Sequence, residues 1–262
     1  MTLPVNQVAG PLWVSEGPYL GRVCHVITFG GCNLHCPGCD VPHTWDEDRY
    51  DLDRTCPPRT PDEIVARLEG TPRLVVLTGG EPMLHQRRRD FVELLDMLGH
   101  IPVHVETNGT IPPTGPMLGR IAHFSVSLKL SALGGGDPQR RRIRPLPIAV
   151  FNTLAMEGRA VFKFVCATAA DVEEVSEYCQ TYGIPPQWVW IMPYTPGYAP
   201  MAELPICHHK INDAVAAHGF NLTTRLQIIA DFSTLQARRA GVAARRWRDQ
   251  TTAHVPAQGA RP

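Results

Sequence analysis

Residues 30–40 read GGCNLHCPGCD, and the cysteines within them, Cys32, Cys36 and Cys39, are spaced Cys-x3-Cys-x2-Cys. A four-iron cluster with a full set of four thiolates carries electrons, whereas three thiolates leave one iron open to another ligand. Gly30 and Gly31 let the backbone come close to such a group. The spacing alone also admits a structural zinc knuckle with His35 or His43 as fourth ligand. The other cysteines, Cys24, Cys56, Cys166, Cys179 and Cys207, are scattered along the chain. Isolated free cysteines usually act as small buried hydrophobes.

Outward from this loop, strand-like and helix-like segments alternate. Residues 23–29 form an apolar strand that runs into the loop. Residues 61–69 read as a helix capped by Thr60 with Pro61 as its first residue. Residues 88–98 are amphipathic, with Phe91, Leu94, Leu95 and Leu98 on one face. Further strands are expected at 73–77, 103–106, 124–128, 160–165, 188–192 and 222–229, and further helices at 170–182 and 210–218, the last stopped by Gly219. Such alternation implies a parallel sheet with helices outside. The expected fold is α/β, a partial (β/α) barrel of about six parallel strands, with functional loops at the strands' C-terminal ends. Residues 134–147 read as a mobile loop. Residues 1–232 form the core domain, and 233–262 an Ala/Arg-rich tail, partly disordered, with a short helix near 235–247.

Composition sets limits on function. The chain has 262 residues, 44% of them hydrophobic, and 25 basic residues balance 25 acidic ones. Zero net charge gives no global field toward nucleic acid or a membrane. The longest apolar runs, near 73–78 and 187–192, are too short to span a bilayer. The opening MTLPVNQVAGPLW lacks the pattern of a signal peptide, so a cytoplasmic location is expected. Arg140, Arg141, Arg142 and Arg144 read as a solvated charge run. His208 and His209 read as surface residues of a helix.

The cysteine loop, LTGGEP at 77–82, ETNG at 106–109, Ser127-x-Lys129 and the turn from Met192 to Thr195 together resemble, in order and spacing, the radical SAM superfamily. In that superfamily S-adenosylmethionine (SAM) chelates the open iron of a 4Fe-4S cluster, and its reductive cleavage yields a 5′-deoxyadenosyl radical. Within it, Ser15-Glu16-Gly17, CDVPHTW at 39–45, VVLTGGEPMLH at 75–85, VETNGT at 105–110 and SLKLSALGG at 127–135 resemble the 7-carboxy-7-deazaguanine synthase family. The likeness covers about residues 10–230.

That resemblance implies a radical SAM lyase of 7-deazapurine (queuosine-type) synthesis. The family converts 6-carboxytetrahydropterin to 7-carboxy-7-deazaguanine by radical ring contraction. It implies that Cys32, Cys36 and Cys39 hold the cluster, and that Gly38, Asp40, Gly80, Ser127, Lys129, Met192, Pro193, Tyr194 and Thr195 contact SAM. Val14, Ser15, Glu16, Thr28 and Thr78 would face the substrate. An external electron donor, flavodoxin-like or chemical, is implied, and a homodimer is compatible with the sequence. The chain departs from the family where the pterin is held. Val41 stands where a Thr ligates Mg2+, which puts that ion in doubt. Thr28 stands for an Arg, Val14 for a Gln and Ile229 for a His, while Gln227 is kept. Arg225 could offset the missing Arg. The competing readings are the same cofactor chemistry on another substrate, and a zinc-stabilised nucleic-acid-binding module that uses the arginine run.

Overall fold

A computed structural model describes residues 1–195 and 201–230. Its sheet has nine strands: β1 (Leu3–Trp13), β2 (Val23–Phe29), β3 (Pro58–Arg59), β4 (Val75–Gly79), β5 (Val103–Thr107), β6 (His123–Val126), β7 (Ala160–Cys166), β8 (Val189–Pro193) and β9 (Asn221–Leu222). Their order is β3-β1-β2-β4-β5-β6-β7-β8-β9. From β2 to β9 every pairing is parallel, while β1 runs antiparallel to β2 and to β3. The parallel part holds six full strands, as expected, with β9 as a two-residue addition.

Alternation along each strand divides its side chains between two environments. Ile27, Phe29, Leu77, Val105, Phe124, Phe162, Phe164 and Ile191 are fully buried in the main apolar core. There they meet Phe91, Leu94 and Leu95 of helix Arg89–Met97, and Val172 and Val175 of helix Ala169–Tyr182. Each large apolar side chain buried this way contributes about 1.5–3 kcal/mol. The opposite parity, Thr28, Thr78, Glu106, Ser127, Lys163 and Met192, faces the barrel's concave side.

Several expectations need correction. The β1 strand went unread because Pro4, Gly10 and Pro11 break its apolar pattern; its pairing with β2 slips in register at two places. Helix 61–69 is regular only over Pro61–Val65, although the capping box of Thr60 and Glu63 forms. The expected helix 210–218 is present as Asn212–Ala217, and a separate short helix, Leu204–His209, precedes it. Residues 222–229 are not a strand. After β9 the chain leaves the sheet and enters the short helix Leu226–Ile229. The reason lies in its partners: Thr223 Oγ1 accepts from Gly17 N at 2.8 Å, and Leu226 N donates to Ser15 O at 2.9 Å. These bonds link the β9 end of the sheet to the segment between β1 and β2. The tail 233–262 and the expected helix at 235–247 lie outside the described residues.

Residues 134–147 are ordered rather than a mobile loop. Asp137 is buried and accepts from His35 N at 2.5 Å, while Arg141 pairs with it at 2.9 Å. Arg142 is buried too and donates to Lys129 O at 2.5 Å and to Asp137 O at 3.1 Å. Arg144 donates to Thr110 O at 2.9 Å. The arginine run is thus not simply a solvated charge run: three of its members bind this segment to the cysteine loop and its neighbours. Pro145 and Pro147 sit in the first turn of helix Pro145–Met156, where backbone N–H groups lack helical partners and proline is tolerated.

One buried carboxylate sets the positions of the loops above the barrel. Glu81 has no solvent exposure. It accepts from Asn108 N at 2.6 Å, Thr107 Oγ1 at 2.8 Å and Met83 N at 3.0 Å. Asn108 Nδ2 in turn donates to Asn33 Oδ1 at 2.8 Å, and Asn33 Nδ2 to Thr110 Oγ1 at 2.8 Å. The loops after β2, β4 and β5 are joined in this way.

The barrel floor is closed by Tyr19, whose ring meets His104 edge-on at 4.4 Å and His123 at 4.7 Å. Burial lowers the pKa of His104 to about 4, with the charge of Arg22 adding to the effect. Burial, with His104 beside it, lowers that of His123 to about 3.

Two predictions follow from this packing. Replacing Glu81 by Ala strands three buried donors, each worth about 1–3 kcal/mol. Thermal unfolding should therefore fall by roughly 6–12 °C or more, at about 2–4 °C per kcal/mol for a chain of this size. Glu81→Gln, which keeps the shape but turns an NH2 toward one donor, should fall less. For the histidines the sign is fixed by linkage: both stay neutral when folded but take protons near pH 6.5 when unfolded. Their contribution is complete above pH 6.5 and is lost as pH falls toward 4. Urea unfolding across that window should show stability falling with acid, by a smaller amount in His104→Leu.

Candidate active site

The concave side of the barrel opens into a cavity of about 480 Å³ at the C-terminal ends of the strands. Its upper wall carries the thiols of Cys32, Cys36 and Cys39. The loop that holds them is tightened by a turn in which Cys39 N donates to Cys36 O at 3.1 Å. Each end of the triad has donors aimed at sulfur. Leu34 N lies 3.5 Å and Asn108 Nδ2 3.9 Å from Cys32 Sγ, and the Trp45 indole N–H lies 3.3 Å from Cys39 Sγ. Burial pushes the Cys32 and Cys36 thiols above the ordinary cysteine range, while Lys129 pulls both the other way. Metal binding would deprotonate them.

The donor set fits an iron–sulfur cluster better than a single ion. Among the described residues no group of three His, Cys, Asp or Glu side chains converges on one metal position. A zinc knuckle needs four ligands around a single centre. Three thiols lining one cavity suit three irons of a four-iron cluster and leave the fourth open, with space beside them for a cofactor.

Most residues expected to contact SAM stand on this wall: Gly38, Asp40, Gly80, Ser127, Lys129, Met192, Tyr194 and Thr195. Pro193 ends β8 and lies outside the cavity lining. The Lys129 ammonium donates to Ser127 Oγ at 2.9 Å. Gly80 has a structural role of its own. A Cβ there would fall 1.9 Å from Gly31 O, and Glu81 N donates to that same oxygen at 2.7 Å. A side chain at Gly80 would push the cysteine loop away before it met any cofactor, so loss of SAM binding in Gly80→Val would not locate the cofactor.

Of the residues expected to face a substrate, Ser15, Glu16, Thr28 and Thr78 line the cavity. Val14 does not; it packs on the small apolar cluster of Cys24, Leu74 and Val76. Ile229 is half-exposed on the final helix. Arg225 lies not on a strand but just before that helix, and it is buried. It donates to Thr195 Oγ1 at 2.6 Å and Asp40 Oδ2 at 2.8 Å, tying the segment after β9 to the cysteine loop.

Two charged residues of the cavity wall were not foreseen. Lys163, on β7, donates to Glu16 Oε1 at 2.5 Å. Glu106, on β5, lines the cavity and accepts from Thr78 Oγ1 at 2.7 Å. Burial raises its pKa, with Lys163 opposing the shift. The signal was present in the sequence AVFKFVC. A lone lysine in an apolar strand, in phase with Val161 and Val165, must face the interior of the barrel.

Comparisons with known proteins agree with this geometry. Residues 26–147 match the pattern of the Radical SAM superfamily. The chain is 36% identical over 219 residues to the 7-carboxy-7-deazaguanine synthase of Hyperthermus butylicus, covering 82% of this chain and 87% of that protein. It is 37% identical over 224 residues to the enzyme of the same name from Pyrobaculum aerophilum, with 82% and 89% covered. The crystal structure of QueE from Escherichia coli has the same fold, with a TM-score of 0.60 at 22% identity, covering 86% of this chain and 94% of that one. A three-cysteine loop on a partial barrel, matched along most of its length by these relatives, places the chain in the 7-carboxy-7-deazaguanine synthase family of radical SAM enzymes.

Proposed function

We propose that the chain converts 6-carboxytetrahydropterin to 7-carboxy-7-deazaguanine by radical ring contraction. The observation that carries this reading is that one cavity is lined both by the three thiols, with Gly38, Ser127, Lys129 and Tyr194, and by Glu16, Thr28 and Thr78. Cys32, Cys36 and Cys39 would hold a 4Fe-4S cluster, which with SAM and an external one-electron donor supplies a 5′-deoxyadenosyl radical.

This chain's residues do the rest. Trp45 and Asn108 orient the sulfurs of Cys39 and Cys32. Lys129 places a positive charge beside Ser127, where a charged cofactor group would sit. Arg225 holds Asp40 and Thr195 in place along the cofactor's side. Glu16 and Thr78 present polar groups to the substrate's ring. A related heterocycle is the second reading, favoured by Thr28, which offers no charge to a substrate carboxylate.

The reading is tested by anaerobic purification and metal analysis. Iron and sulfide should approach four of each per chain, and Cys36→Ala should lose both the brown chromophore and SAM cleavage. Cys166→Ser and Cys179→Ser, buried and outside the cavity lining, should retain the cluster. An intact cluster in Cys36→Ala would overturn the assignment.

Magnesium should matter little. A hard cation needs oxygen ligands. Val41 has none, the Thr44 hydroxyl is buried and donates to Val41 O at 2.8 Å, and Asp40 is engaged by Arg225 at 2.8 Å. Turnover with and without a chelator should agree within about twofold, since Val41 offers no side-chain oxygen where a hard cation would need one. Strong activation by millimolar Mg2+ would contradict this.

A further inference from the structure

We propose that Lys163 is a positioning residue: it fixes the Glu16 carboxylate so that the free oxygen, Oε2, accepts an N–H from the substrate's ring. The inference rests on the substrate reading above and extends it to a residue on β7 that neither the cysteine loop nor the SAM wall contains.

The geometry is specific. Lys163 Nζ holds Glu16 Oε1 at 2.5 Å, and the two side chains are 7% and 12% exposed. Glu16 Oε2 is buried and has no hydrogen-bond partner in the protein. A buried carboxylate oxygen left unpaired is costly, and a ligand donor removes that cost. Glu16 lines the cavity, so a ligand there lies beside its side chain.

The charge balance points the same way. Lys163 is the cation shared by Glu16 and Glu106. Burial works against its charge, but the two carboxylates outweigh burial and hold its pKa above the ordinary lysine value. Glu106 is itself fixed by Thr78 at 2.7 Å. The part of the wall around Glu16, Thr78, Glu106 and Lys163 therefore holds more acceptor than donor capacity, which suits an N–H-bearing edge of a nitrogen heterocycle. The other cations of the cavity wall are engaged elsewhere, Lys129 with Ser127 and Arg225 with Asp40 and Thr195. Neither has a hydrogen bond to Glu16.

The test is a double-mutant cycle read by calorimetry of 6-carboxytetrahydropterin binding to the anaerobically reconstituted enzyme, with steady-state kinetics beside it. Lys163→Met and Glu16→Gln should each weaken binding about tenfold or more, the scale of a hydrogen bond to a charged group. The effect should fall on KM more than on kcat. On the Glu16→Gln background, Lys163→Met should add no more than about twofold, because a residue that acts through another is non-additive with it. Lys163→Arg, which keeps the ion pair, should recover part of the affinity. SAM affinity should be unchanged in all variants, which reports an intact fold. Lys163→Met binding the pterin as tightly as wild type, or full additivity with Glu16→Gln, overturns the inference while leaving the substrate reading intact. A wild-type enzyme that does not bind the pterin overturns both.

Discussion

The loops after β4 and β5 meet at the carboxylate of Glu81, which has no contact with solvent and accepts from Asn108 N, Thr107 Oγ1 and Met83 N. Removing a charge from water is costly unless its lone pairs are filled. Here they are filled by backbone and side-chain donors that exist only when the loops after β4 and β5 are in register. Asn108 carries that register on to Asn33 in the cysteine loop, and its amide also reaches toward the Cys32 sulfur. The positions of the three thiols thus depend on a carboxylate that touches none of them. The close backbone contact of Gly80 with Gly31 belongs to the same junction.

Beside that junction one cavity is lined by the thiols and Lys129 and by the charged and polar groups of Glu16, Thr78, Glu106 and Lys163. Tyr19, His104 and His123 close the floor. The charges of Glu16, Glu106 and Lys163 are paired within the wall, so a ligand entering the cavity meets oriented groups rather than flexible surface charges. Such preorganisation lowers the cost of ordering on binding. Arg225 extends this principle to the chain's final described segment, which is held to the barrel through Asp40, Thr195 and Ser15.

Much of this was legible in the sequence. The apolar runs that become β2, β4, β5, β7 and β8 are short and bounded, as strands buried on both faces should be. The cysteine spacing, GGEP and Ser-x-Lys fell at strand ends, where the structure puts them. What escaped reading has physical causes. Prolines hid β1 and the start of helix Pro145–Met156, because a proline in a first helical turn looks the same in sequence as one in a loop. The arginines at 141, 142 and 144 looked solvated because the carbonyls and the carboxylate that bind them are brought close only by the fold. Residues 222–229 alternate like a strand, but hydrogen bonds to Ser15 and Gly17 draw them off the sheet. The ion pair of Lys163 and Glu16 spans 147 positions in the chain, a separation at which local pattern carries no information.

The most direct test of the account is a single anaerobic reaction. The reconstituted enzyme is given SAM, dithionite and 6-carboxytetrahydropterin, and the products are read by mass spectrometry. The account predicts 7-carboxy-7-deazaguanine with loss of ammonia from the ring. Cleavage of SAM to 5′-deoxyadenosine with the pterin returned unchanged would contradict it.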